Sequence, residues 1–243
     1  MRVCSLLLLL IPCIFFSCSQ NNVTEDPSLQ KYFDSAGVKG CFGLYDNGQG
    51  HFLIYNLERY RDSSYQPGAT FDLILSLVAI QTGAAKDGEE LGRIGFDSVA
   101  RRIGYDTLKK WVDSLSYGNR NIGDKANFGA NYDLRVRPDE ELGLIKKLYF
   151  NQLPFFEHVQ VSVRALMQQE SNANYQMFYK KAQERTADGH AIGWVLGWVE
   201  ENKHPYFFVV NLEAADPNAD LAGAGLRILK GILAEKGFFQ GKK

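Results

Sequence analysis

The chain has 243 residues, with 27 Lys and Arg against 28 Asp and Glu, for a formal net charge of −1. It is 45% hydrophobic, 13% aromatic and 23% charged, the balance of a globular protein with a buried core, which excludes disordered, collagen-like and low-complexity classes. The near-zero net charge gives no basis for a broad nucleic-acid-binding face.

Residues 1–17 read MRVCSLLLLLIPCIFFS, with Arg2 as the only charge ahead of an apolar run from Leu6 to Phe16. The run is too short to span a membrane and has the size of a signal-peptide core. Ser17-Cys18-Ser19-Gln20 follows. A small residue before a Cys at the end of an apolar core resembles a bacterial lipoprotein cleavage site, although Phe15 and Phe16 depart from its commonest residues. The resemblance implies cleavage before Cys18, lipidation of Cys18, and a membrane-anchored protein facing the periplasm or the outer surface. An ordinary secretory signal with an incidental Cys is the other reading. Residues 18–29 then serve as a polar tether.

Of the four Cys, Cys4 and Cys13 leave with the signal and Cys18 takes the lipid, so Cys41 stands alone in an apolar run. Spacing supports neither a disulfide framework nor a CxxC metal site, and Cys41 reads as a small buried hydrophobe. The four His are scattered, and no metal or cofactor is expected.

No repeat or linker-like tract divides residues 30–243, which read as one domain. Val38 to Tyr45 and His51 to Leu57 are apolar runs separated by Asp46-Asn47-Gly48-Gln49-Gly50, a hairpin signal. Thr70 to Gln81 is an almost wholly apolar helix stopped at Gly83, expected to be central and buried. Tyr105 to Leu115 has helical spacing, and Pro138 to Phe150 opens with Pro-Asp-Glu-Glu, a good first turn. Ile192 to Val199 and Tyr206 to Leu212 read as strands joined by Glu200–Pro205, with Trp194 and Trp198 as packing residues on one face. Leu221 to Lys236 is a terminal amphipathic helix. Strands, a helical middle, further strands and a helix indicate an α+β fold: an antiparallel sheet flanked by helices, plus a helical subdomain.

The stretch YNLERYRDSSYQPGATFDLILSLVAIQTG resembles the nucleophile region of the class D serine β-lactamases and related penicillin-binding transpeptidase domains. Tyr117-Gly118-Asn119, the segment from Tyr132 through KKLYFNQLPF, the GWVLGWVE strand from Gly193, and Gly225-Leu226-Arg227 resemble later elements of that family, in order. The resemblance implies a β-lactamase/transpeptidase-like fold. It also implies a nucleophile and base supplied by Ser-x-x-Lys at the start of the central helix, a Ser-x-Val proton relay, and a Lys-Thr-Gly strand.

Here Ala69 stands at the Ser position and Asp72 at the Lys position. A methyl cannot form an acyl-enzyme. Ser63, Ser64 and Ser76 have no Lys three residues on, and Ser28-Leu29-Gln30-Lys31, which does have the spacing, lies in the tether region. Counting back from Val99 places the Ser-x-Val element on Leu91-Gly92-Arg93, and counting back from Gly193 places Lys-Thr-Gly on Lys181-Ala182-Gln183, or on Lys180-Lys181-Ala182 with a one-residue shift. Gly129 follows Phe128 where many members have Trp.

What remains are ligand-binding candidates: Tyr117, Asn119, Lys180 or Lys181, and Arg227, each with a plain structural alternative such as a turn or a helix-face ion pair. Asp72 reads either as a solvated first-turn acid facing the helix dipole or as a binder of a cation or amine in the old pocket. The resulting expectation is a catalytically degenerate class D β-lactamase-like, penicillin-binding-type lipoprotein. It would bind a cell-wall peptide, a β-lactam-like or other anionic small molecule, or an unidentified protein partner. The alternatives are an active β-lactam hydrolase with an unconventional site, such as a water activated by Asp72, and an interaction protein whose old cleft is filled.

Overall fold

The computed structural model describes residues 22–125 and 133–243. The signal segment 1–17, Cys18 and the Phe128-Gly129 position lie outside the described residues.

The elements in chain order are β1 (Val23–Glu25), α1 (Gln30–Ala36), β2 (Lys39–Asp46), β3 (His51–Tyr55), α2 (Leu57–Asp62), α3 (Asp72–Thr82), α4 (Gly88–Ile94), α5 (Phe96–Ile103), α6 (Tyr105–Leu115), α7 (Pro138–Tyr149), α8 (Glu157–Leu166), β4 (Gln168–Ser171), β5 (Gln176–Arg185), β6 (Ala191–Glu201), β7 (His204–Ala214) and α9 (Leu221–Glu235). The strands form one sheet in the order β1-β3-β2-β7-β6-β5-β4. All pairings are antiparallel except β1 with β3.

Period-2 alternation splits β6 between two cores. Trp194, Leu196 and Trp198 face α3, α7 and the helical subdomain. Val195 and Val199 face α9 and α1, where Leu29, Phe33, Leu229 and Ile232 complete the second layer. The tryptophans are packing residues: Trp194 Nε1 donates to Gln66 O at 2.8 Å and Trp198 Nε1 to Glu200 Oε1 at 3.1 Å. The glycines of this strand have a packing cause. A Cβ on Gly193 would meet Leu221 of α9, and one on Gly197 would overlap the Phe178 carbonyl of β5. Cys41 is fully buried, and burial pushes its thiol up to about 12.

The expected helix over 70–81 is α3, preceded by a 3-10 turn at Gly68–Phe71 and ended by Gly83 in the left-handed region at φ 75°. Seven of its residues, Leu73 to Ala79, are buried.

Two expectations need correction. Residues 23–29, expected to belong to the tether, are part of the fold. Val23–Glu25 pairs with Phe52–Ile54, Pro27–Leu29 forms a 3-10 turn capped by Asp26, and Leu29 is fully buried in the α9 core. The polar residues there concealed one apolar anchor, Leu29. The loop expected at Glu200–Pro205 is a two-residue turn, because Asn202 and Lys203 both take positive φ and let Glu201 pair with His204.

Candidate functional site

The sequence breaks the helix start with Pro67-Gly68, so the chain enters α3 through a tight turn carrying Ala69, Thr70 and Phe71. Gly68 has φ +53°, and a Cβ there would stand 3.1 Å from Glu184 Cβ, so β5 presses closely on this turn. Ala69 is partly buried. Its neighbour Thr70 is fully buried, and the Thr70 hydroxyl lies 2.9 Å from Pro67 O and 2.7 Å from Glu141 Oε1.

Asp72 is the first residue of α3. Its Oδ2 accepts a hydrogen bond from Lys180 Nζ at 2.8 Å, and the side chains are only 15% and 27% exposed. Asp72 is therefore paired within the fold and is not the solvated first-turn acid of the sequence reading. Burial lifts the Asp72 carboxyl above its ordinary range. Lys180 pulls it down less than burial raises it, and Asp97 adds a further upward push. The Lys180 ammonium also stands 5.3 Å from the centroid of the Phe96 ring.

Strand periodicity decides between the two lysines. Phe178, Lys180 and Ala182 share the face turned to α3, and Ala182 is buried in that core. Tyr179 packs in the α9 core, and Gln183 caps the start of α9 by accepting from the Leu221 and Ala222 amides. Lys181 lies between them in that alternation and is exposed.

A cavity of about 250 Å³ opens beside the ion pair, walled by Asp72, Ser76, Phe96, Leu166, Met167 and Lys180, with Lys181 at its edge. That is below the usual ligand-pocket range of roughly 300–1,000 Å³. It has room for a small molecule or for the end of a larger one. Ser76 and Tyr179 are the hydroxyl-bearing residues in its lining, and the Ser76 hydroxyl donates to Asp72 O at 2.7 Å.

The structure does not bring the other candidates to this cavity. Leu91 is buried on α4, 1% exposed. Tyr117 is 4% exposed and donates its hydroxyl to Glu141 Oε1 at 2.8 Å. Asn119 pins the segment that follows: its Nδ2 donates to Asp133 O at 2.7 Å, and its Oδ1 accepts from the Arg135 amide at 3.1 Å. Arg227 is 72% exposed on α9 and stands 3.8 Å from Asp220. Among the described residues, no group of three His, Cys, Asp or Glu side chains is placed to hold a metal ion.

Sequence reasoning missed Phe96 and Glu141. Phe96 follows Gly95 as the first residue of a short helix and gives no local sign of facing a cavity. Glu141 sits in a run of first-turn acids that reads as solvated. Its burial follows from Thr70 and Tyr117, 71 and 24 residues away.

No family model matches the chain. It is 25% identical over 234 residues to the β-lactamase OXA-3 of Pseudomonas aeruginosa, covering 85% of this chain and 83% of that protein. It is 25% identical over 239 residues to the β-lactamase OXA-48 of Klebsiella pneumoniae, covering 87% and 89%. The solved class D β-lactamase YbXI from Nostoc superposes with a TM-score of 0.77 at 24% identity, over 87% of this chain and 99% of that one. FUS-1 (OXA-85), a class D β-lactamase from Fusobacterium nucleatum, gives 0.80 at 20% identity, over 90% and 100%. By sequence and by fold, this chain is similar to class D β-lactamases.

Proposed function

We propose that this protein is a catalytically degenerate relative of the class D β-lactamases, a penicillin-binding-type lipoprotein that binds an anionic or cell-wall-derived ligand, or a protein partner, without acyl transfer. The observation that carries the reading is the start of α3. A methyl stands at Ala69, and the acid three residues on is tied to Lys180 at 2.8 Å. Acyl transfer needs a nucleophilic oxygen and a free base beside it. Of the hydroxyls lining the cavity, that of Ser76 is committed to Asp72 O, and Lys180 Nζ donates to Asp72 Oδ2. Lys181, at the cavity edge, is the cation left to meet an anionic group. On this reading the domain stands outside the cytoplasm on a lipidated Cys18.

One observation favours a second reading. Asp72 faces the cavity with its carboxyl raised by burial, as a general base acting on water would be. A single experiment separates the two. After incubation with a penicillin, the intact mass of residues 19–243 is expected to be unchanged, and a chromogenic cephalosporin is expected to stay intact. An acyl adduct would overturn the degenerate reading and peptide mapping would locate the nucleophile. Turnover without an adduct would favour the Asp72-activated water, and Asp72→Asn would then abolish it.

A further inference from the structure

One end of the sheet gathers lysines that have no acid. The β2–β3 and β6–β7 turns meet there, where His204 Nε2 lies 3.0 Å from both the Gly48 nitrogen and Asp46 Oδ1. The chain enters at the same end: the Asn22 carbonyl accepts from the Phe52 amide at 2.7 Å, and Asn22 Nδ2 donates to Gly50 O at 3.2 Å. The segment after α9 folds back onto it, with Asn202 Nδ2 donating to Gly241 O at 3.0 Å and to Lys243 O at 2.9 Å. The end of α7 joins through Lys146 over the Tyr45 ring at 4.1 Å and through Phe150, 38% exposed, against Phe207 at 5.9 Å.

Lys146, Lys147, Lys203, Lys242 and Lys243 therefore share this end, and among the described residues none is in an ion pair. By contrast, Lys31, Lys109, Lys125, Lys180, Lys230 and Lys236 each hold a carboxylate. Most acids at this end are already engaged. Asp46 faces His204, Glu200 accepts from Trp198, and Glu201 is buried and accepts from the Lys242 and Lys243 amides. Glu157, an exposed acid, accepts from Asn151 just after α7. In a chain of net charge −1 this is a segregation of charge.

The second observation is chain length. Cys18 lies four residues before Asn22, a reach of about 14 Å when fully extended. A lipid on Cys18 would hold this end, and no other, against the membrane.

We propose that this end is a membrane-docking face that binds anionic phospholipid headgroups through its unpaired lysines, with Phe150 at its margin. The proposal rests on the lipoprotein reading of Cys18 for its orientation, and on the lysines alone for its chemistry. Gly68, packed on Glu184 near the opposite end of β5, would then face away from the lipid.

The test is sedimentation of residues 18–243 with vesicles of phosphatidylcholine alone, or with one third phosphatidylglycerol, at low salt. Each lysine near an anionic surface is worth about fivefold in partitioning, so binding is expected to rise at least tenfold on the anionic vesicles. K203E with K242E should return it to the neutral-vesicle level. K39E with K110E makes the same charge change on unpaired lysines elsewhere and should keep most of the binding. Equal partitioning to both vesicles, or equal loss in both variants, would overturn the proposal. The anchor is tested separately by lipid incorporation in Cys18→Ala. Incorporation that survives this change would overturn the anchor reading and leave the vesicle result standing.

Discussion

Lys180→Met is expected to destabilise the fold by about 3 kcal/mol, and adding Asp72→Leu is expected to recover most of that loss. The Asp72 side chain is 15% exposed and its carboxyl sits above the ordinary range even with Lys180 bonded to it, so desolvation already outweighs the attraction. Removing the ammonium leaves a buried carboxylate with Asp97 as a like-charged neighbour and only the α3 N-terminus to offset it. Removing both charges leaves an apolar pair beside Phe96, Val163 and Met167, which can close on the cavity. The sign of the pH dependence follows. A raised carboxyl contributes stability below its unfolded value of 3.8 and loses it as pH rises through the folded value. In Lys180→Met that value rises further, so the cost grows from acidic toward neutral pH. Urea denaturation of both variants, at mildly acidic and mildly alkaline pH, checks this. A single variant costing under about 1 kcal/mol, or a double variant costing more than the single, would mean that the pair is solvated and does not organise the site.

The sequence is most informative where the periodicity is strong. The alternation of Trp194, Leu196 and Trp198 against Val195 and Val199 implies a strand with two buried faces, and both cores are found there. The apolar run from Leu73 to Ala79 requires a central helix, because such a run has no solvated side. Asp72 was legible as a residue but not as half of an ion pair, since its partner lies 108 positions away and two adjacent lysines fit the spacing equally well. Only the face of β5 that packs on α3 separates Lys180 from Lys181. Tyr117 and Asn119 are drawn to attention by their motif, yet a motif does not say where a hydroxyl points. One bonds a buried acid and the other pins a loop. Leu29 was hidden for the opposite reason, as a single apolar residue in a polar stretch whose burial depends on α9 arriving from the far end of the chain.

Glu141 should make the stability of this protein fall as pH rises between its unfolded value of 4.5 and about 7. The carboxyl is fully buried on α7, and burial, only partly offset by hydrogen bonds from Thr70 and Tyr117, pushes it up to about 7. A neutral Glu141 also fits the groups around its Oε1, while Oε2 is buried without a hydrogen-bond partner. The Thr70 hydroxyl has one proton and lies within bonding distance of both Pro67 O and Glu141 Oε1. If Thr70 donates to Pro67, the proton of Glu141 closes the bond to Thr70. Tyr117, whose own hydroxyl is pushed well above its ordinary range by burial and by Glu141, donates to the same carboxyl. The folded state thus holds the proton more tightly than the unfolded chain. The stability it supplies is complete below pH 4.5 and lost through about 7, on the order of 3 kcal/mol in all. Glu141→Gln keeps the acceptor for Tyr117 and removes the titration. Its stability relative to the parent is expected to rise by that amount across the same interval, on top of a constant offset for the added amide group. Lowered carboxylates such as Asp26 and Glu213 act with the opposite sign at lower pH and cancel in the comparison. A difference between variant and parent that does not change with pH would show that Glu141 is charged in the folded state. Thr70 stands between Ala69 and Asp72, so the same titration is expected to loosen the turn that enters α3. The cavity beside Lys180 would then be held most rigidly under mildly acidic conditions.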